Sequence, residues 1–157
     1  MAVRYVLDTN VLLRLSHRSH PLHNLLSECM LRLSDRNAEL CYASQNLGEF
    51  WNVSTRPLDR NGFGLSIAET GRRFEAVVQY MTLLKEVDAV FPAWLRLMKA
   101  HEVRGIQVHD AHLAAVLEVH SVSHLITFNG SDFKRFPSIN VVHPQEILDG
   151  AYPQMDR

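Results

Sequence analysis

The run Arg4-Tyr5-Val6-Leu7-Asp8-Thr9-Asn10 constrains the chain more than any other stretch. Val3, Tyr5, Val6 and Leu7 supply the β-branched and aromatic run of a short buried strand, and Asp8 stops it. Thr9 and Asn10 then turn the chain into Val11-Leu12-Leu13-Arg14-Leu15, which has helical character. In an open α/β sheet the carboxyl ends of the strands are where ligands bind. An acid placed there is a candidate for chemistry, and it is equally a common helix N-cap. On this stretch alone both readings stand.

The rest of the chain repeats the same alternation. His20-Pro21 reads as a helix start, followed by Leu22, Leu25, Leu26, Met30 and Leu33 at helical spacing, with Asn37 as the stop. Leu40–Ala43 is a second short strand, and Ser44-Gln45-Asn46 opens a helix through Glu49, Phe50, Trp51 and Val53. Pro57, Gly62 and Gly64 make Arg56–Gly64 a loop. Ser66 with Glu69 forms a capping-box pattern ahead of a long helix through Phe74, Val77, Val78, Met81 and Leu84. Val87–Val90 is the expected third strand, and Pro92 begins a helix that stops near Gly105. Asp110 leads a helix that is apolar on every side and therefore buried. Leu125–Phe128 and Ile139–Val142 are the fourth and fifth strands, and Pro144–Leu148 makes a last helical turn. Strands separated by helices imply a parallel sheet covered on both faces. With 157 residues, no linker and no repeat, the expectation is one domain over residues 1–157.

This layout gathers acids. Asp8 ends the first strand and Asp132 follows the fourth, so both belong to the carboxyl edge. Glu49 lies one turn into a helix that starts at that edge, and Asp110 heads the buried helix. Carboxylates sharing a partly buried pocket repel one another and raise each other's pKa values. A divalent cation relieves that repulsion, and hard oxygen ligands favour Mg²⁺ or Mn²⁺ over zinc. Such a site can activate water and stabilise the leaving oxygen in phosphodiester cleavage. Each acid also has a structural reading. Asp8 and Asp110 would cap helices, Asn46 with Glu49 matches a capping box, and Asp132 would make a turn. Those readings do not require the acids to share an edge.

Composition narrows the partners. A formal charge of −1 excludes a generally basic nucleic-acid binder and leaves room for a local basic patch. Cys29 and Cys41 form no CxxC pair, no leader pattern opens the sequence, and no apolar run approaches the length of a membrane span. A cytoplasmic protein is the expectation.

Four stretches together resemble the PIN-domain family, and most closely its VapC-type toxins. They are Leu7-Asp8-Thr9-Asn10; Gln45 to Val53 with Arg56-Pro57; His109 to Ala115; and Thr127-Phe128-Asn129-Gly130-Ser131-Asp132-Phe133. The resemblance implies a three-layer α/β sandwich with a five-stranded parallel sheet flanked by helices. It also implies Mg²⁺- or Mn²⁺-dependent ribonuclease activity. Asp8, Glu49, Asp110 and Asp132 fall on the acidic quartet, with Asp8, Asp110 and Asp132 as metal ligands. Glu49 orients the hydrolytic water or shares a second ion. Thr127 falls on the supporting hydroxyl residue, with Asn10 and Asn129 beside it. Some relatives carry a further acid near Asn129, and the amide here bears on whether a second metal site exists. The implied partners are an RNA substrate, a small antitoxin protein and a second copy in a homodimer, with no membrane. Extra length relative to many such proteins is expected around Asn61–Gly71.

Two other functions fit parts of the pattern. A PIN-like module that only binds RNA or protein would not need all four acids. A phosphohydrolase resembling the haloacid dehalogenase group needs an acid two residues after the first, where this chain has Asn10. Arg14, Arg18, Arg56 and Arg60 are candidates for steering an RNA backbone, or plain surface residues. His17, His20 and His23 read as histidines near a helix start, His109 and His112 as supporting or surface residues, and Trp51 and Trp94 as core.

Overall fold

The computed structural model describes residues 2–150. Strand β1 (Arg4–Leu7) leads into α1 (Thr9–Ser16) and α2 (His23–Asp35), and β2 (Glu39–Ala43) runs directly into α3 (Ser44–Thr55). Helix α4 (Ile67–Val78) precedes β3 (Thr82–Leu84), and α5 (Val90–Ala100) precedes α6 (Val108–Val119). The chain closes with β4 (His124–Ile126), β5 (Asn140–Val142) and α7 (Pro144–Leu148). The five strands are all parallel in the order β3-β2-β1-β4-β5, so β1 is central.

Strand β1 explains the two layers of cover. Val6 faces a core built with Leu97 of α5 and Leu113 and Leu117 of α6. Tyr5 and Leu7 face the opposite core, with Leu12 of α1, Leu26 of α2, Phe50 of α3, Phe74 of α4 and Ile147 of α7. A strand buried on both faces carries no polar alternation, which is why Tyr5-Val6-Leu7 reads as an unbroken apolar run. Helix α6 is buried at Ala111 and at every residue from Leu113 to Leu117, in keeping with its all-round apolar sequence.

Local chemistry sets the ends. Asn37 ends α2 in the left-handed region (φ 56°), with its N–H on the Ser34 carbonyl and the Ala38 N–H on the Leu33 carbonyl. Gly62 is obligatory in the loop after α3, because a Cβ there would stand 1.9 Å from the Arg56 carbonyl oxygen. Three expectations fail. The Val87–Val90 segment is a turn, closed by the Val90 N–H on the Val87 carbonyl. The third strand lies earlier, at Thr82–Leu84, paired with Cys41–Ala43. Met81 and Leu84 continue the helical spacing of α4 beyond Val78, but the chain has already left the helix to reach the sheet edge. The second helix also starts later than Pro21, since a turn over His20–His23 precedes it.

Candidate active site at the carboxyl edge of the sheet

The carboxyl ends of β1 and β4 are laced together. The Asp8 N–H donates to the Ile126 carbonyl at 3.0 Å, and the Thr127 N–H donates to Val142 at 3.1 Å. Asp8 caps α1 through Oδ1, which accepts from the Thr9 N–H at 2.8 Å. Its other oxygen, Oδ2, accepts from the Thr127 hydroxyl at 2.7 Å. Capping and membership of the acidic cluster therefore coexist in one carboxylate.

Thr127 is fully buried and its hydroxyl is fully used. Besides donating to Asp8, it accepts from the Asn129 backbone N–H at 3.0 Å and from the Asn10 side-chain amide at 3.2 Å. The Asn10 amide also reaches Asp8 Oδ2 at 3.4 Å, and Asn10 Oδ1 accepts from the Phe128 N–H. Asn129 thus meets Thr127 through its main chain. It opens a tight turn in which the Asp132 N–H donates to the Asn129 carbonyl, with buried Phe133 as anchor. Gly130 lets this turn lie against β5, because a Cβ there would come within 2.7 Å of Val141 Cγ1. Asp132 itself is exposed.

Glu49 is held differently from the sequence expectation. The N-cap of α3 is Ala43, the last residue of β2, and Asn46 is the third helical residue. Buried Asn46 accepts the Ala43 N–H through Oδ1 at 2.7 Å and donates to the Thr9 hydroxyl at 3.0 Å. That hydroxyl in turn donates to Glu49 Oε2 at 2.9 Å. The capping-box reading of Asn46 with Glu49 is therefore incorrect, because the strand-to-helix junction has no loop and the cap lies three residues earlier. Asp110 does not cap α6 either. That helix begins at Val108, which puts Asp110 in its first turn.

Charge ties the four acids together. The Asp110 carboxyl is pushed up to about 6, first by desolvation and then by Asp132, Asp8 and Glu49. Burial also raises Asp8, with Glu49 and Asp132 adding to the effect against the hydrogen bonds from Thr127 and Thr9. Among the described residues, no three His, Cys, Asp or Glu side chains are already set to ligate one ion. The arginines considered from sequence have other engagements or none. The Arg14 guanidinium lies 4.7 Å from the Phe128 ring centroid and donates to the Asn10 carbonyl, Arg56 donates to the Asn61 carbonyl, and Arg18 and Arg60 are exposed. A groove of about 1260 Å³, lined by residues including Leu15, Arg18, Met30, Arg72, Val77 and Tyr80, contains none of the four acids.

Gln45, His112, Thr9 and Asn46 have site contacts that motif reading did not assign. Gln45 donates to Glu49 Oε1 at 2.5 Å and to the His109 carbonyl at 2.9 Å, and His112 contacts both Gln45 and Glu86. The available signal was spacing, since Gln45 precedes Glu49 by four residues on one helix.

A family model described as PIN domain matches residues 5–139. No curated protein sequence matches the chain. Among solved structures, the chain is similar to VapBC2 from Rickettsia felis bound to a DNA fragment from its promoter, with 16% identity, TM-score 0.66 and coverage of 90% of this chain and 98% of that one. VapBC-1 from nontypeable Haemophilus influenzae is similar at 19% identity and TM-score 0.64, with 91% and 99% covered. VapC20 from Mycobacterium tuberculosis, described as a sarcin-ricin loop cleaving toxin, is similar at 15% identity and TM-score 0.58, with 82% and 92% covered.

Proposed function

Because the chain belongs to the PIN domain family, we propose that it is a divalent-metal-dependent endoribonuclease acting as the toxin of a toxin–antitoxin pair. The observation that carries the reading is the gathering of four acids from distant parts of the sequence closely enough for Asp8 and Asp110 to feel the charge of the others. Asp132, Asp8 and Glu49 all raise the Asp110 carboxyl, which burial alone has already pushed up. Helix caps and turns would not require that coupling.

The donor set suits a hard cation. It consists of carboxylates supported by hydroxyls and amides, without sulfur, and its excess negative charge is what a divalent ion neutralises. Mg²⁺ is commonly held by one or two carboxylates with water completing its shell, which matches a cluster whose acids do not all converge. Asp8, Asp110 and Asp132 would hold the ion, directly or through water. When bound, it would lower the pKa of water and stabilise charge at the phosphodiester. Thr127 and Asn10 hold Asp8 in place, while Thr9 holds Glu49 where it would orient the attacking water or share a second ion. The chain then presents a fixed acidic edge at which water attacks phosphorus in line and the 3′-oxygen leaves.

Partners follow from the same reading. VapC20, to which the chain is similar, is described as a toxin. A small antitoxin is the corresponding partner here, and the groove between α2 and α4 has apolar walls and arginine at its rim to receive one. Phe91 and Leu95, one turn apart on α5 and 68% and 40% exposed, support a homodimer. No helix among the described residues is long and apolar enough to cross a membrane; a cytoplasmic site of action belongs to the toxin reading itself. The haloacid-dehalogenase alternative falls with the family assignment.

The test is cleavage of an RNA pool by the whole purified chain with Mn²⁺ or Mg²⁺. Cleavage should depend on the ion and disappear in Asp8→Asn. Wild-type protein that binds RNA with the metals present but leaves it intact would establish the non-cleaving binding module instead.

A further inference from the structure

Glu49 is gripped at both carboxylate oxygens. Oε2 accepts from the Thr9 hydroxyl, and Oε1 accepts from Nε2 of Gln45. Gln45 has no freedom in this arrangement. Its Nε2 faces two acceptors, Glu49 Oε1 and the His109 carbonyl, so its own Oε1 must point the other way. There it meets Nδ1 of His112, which must supply the hydrogen because the amide oxygen only accepts.

The His112 ring is itself fixed from two more directions. Its Nε2 lies 2.8 Å from Glu86 Oε1, in the segment after β3, and with a hydrogen on each ring nitrogen it donates there while Nδ1 donates to Gln45. The Trp94 indole packs against it edge-on at 4.6 Å between centroids, and Trp94 Nε1 is anchored on the Val108 carbonyl at 2.9 Å. A glutamate has three side-chain torsions. Beside the like charges of Asp8 and Asp110 it would rotate away toward water unless donors held it.

The geometry points to Gln45 and His112 as positioning residues that keep the Glu49 carboxylate turned into the acidic cluster and so set the affinity of the site for a divalent cation. His112 acts through Gln45 and does not touch the reacting atoms. This inference rests on reading the cluster as a cation site.

The experiment is calorimetric titration of Mn²⁺ into the whole metal-free chain, without RNA. Glu49 would reach the ion through its bound water or by sharing a second ion, so the residues that orient Glu49 act as outer partners of metal ligands do, typically by one to two orders of magnitude, and Gln45→Leu and His112→Ala should each bind Mn²⁺ about tenfold more weakly. His112→Asn should recover most of that affinity, because its amide nitrogen occupies the place of Nδ1 and can donate to Gln45. The double variant Gln45→Leu/His112→Ala should bind no more weakly than Gln45→Leu alone.

Wild-type affinity in His112→Ala, failure of His112→Asn to recover it, or multiplying losses in the double variant would each overturn the assignment. So would a Gln45→Leu loss matched by a lower metal-free melting temperature, since that would mark a merely structural role. RNA cleavage by the same proteins separates the two levels. A wild-type chain that binds Mn²⁺ but cleaves no RNA sinks the ribonuclease reading and leaves the calorimetric comparison decisive. A wild-type chain that binds no Mn²⁺ sinks both.

Discussion

Asp110→Asn should make the metal-free protein more stable at neutral pH. The Asp110 carboxyl sits at about 6 against an ordinary 3.8. A shift of that size corresponds to about 3 kcal/mol between the protonation states. The residue is only half-buried, and solvent screening reduces this to roughly 1–2 kcal/mol. Opposing it, the carboxylate lies in the first turn of α6, where a negative charge is worth about 0.3–1 kcal/mol. The net gain on removing the charge is therefore roughly 1 kcal/mol, or about 2–4 °C for a chain of this size.

The sign follows from linkage. A raised carboxyl favours the folded state fully below the unfolded pKa, and that contribution is lost as pH rises through about 6. In EDTA, the variant should melt above wild type at pH 7.5 and lose its advantage near pH 4. Mn²⁺ should reverse the order, because only wild type gains the roughly 2.7 kcal/mol expected at a hundredfold excess over Kd. Thermal melts across this grid are the assay. A variant melting at or below wild type in EDTA at pH 7.5 would refute the claim that burial and the neighbouring acids penalise the Asp110 charge.

Three further outcomes follow. Thr127→Val removes the donor at 2.7 Å from Asp8 Oδ2; it should lower stability by about 2 kcal/mol in urea titrations and RNA cleavage by about 10–100-fold. Asn46→Ala strands the Ala43 N–H and takes a donor from the Thr9 hydroxyl, so urea titration should show a loss of about 2 kcal/mol. Gly62→Ala drives a methyl into the Arg56 carbonyl and should cost at least about 2 kcal/mol by the same measurement, with the thermal midpoint falling in parallel.

The buried central strands were the most legible, and of the two edge strands only β5 was read from its β-branched run Ile139-Asn140-Val141-Val142. Tyr5-Val6-Leu7 and Cys41 are enclosed, and their apolar runs announced them. At the edge, β3 has only three residues, of which Thr82 and Leu83 are exposed, too short a stretch for a period of two. The spacing of Val77, Val78, Met81 and Leu84 instead prolonged the helix, and neither glycine nor proline stood there to stop it. The acids were legible unevenly: Asp8 and Asp132 follow strands, whereas no strand leads into Asp110, which comes near Asp8 because a helix that precedes a parallel strand starts at the carboxyl edge of the sheet. The hydrogen bonds among them were not legible. Ala43 can end a strand and begin a helix at once only because Asn46 reaches back to its N–H, and nothing in residue type distinguishes that from Asn46 capping its own helix. Gln45 and His112 are 67 residues apart, and only the packing of α3 beside α6 reveals their contact.

The central position of β1 has a consequence for how the chain comes into being. Strand β1 is synthesised before both of its neighbours, β2 on one side and, on the other, β4, which begins at His124. Until that strand is made, the side of β1 toward β4 has no partner, and Asp8 lacks both the Ile126 carbonyl and the Thr127 hydroxyl that fix it. Long-range pairing of this kind forms late and slowly. The acidic edge is therefore assembled only after most of the chain has been synthesised, and nascent fragments ending before Asp132 cannot carry it. On the proposed ribonuclease reading, chains that end before Asp132 would lack the acidic edge while they are still attached to the RNA-rich machine that makes them.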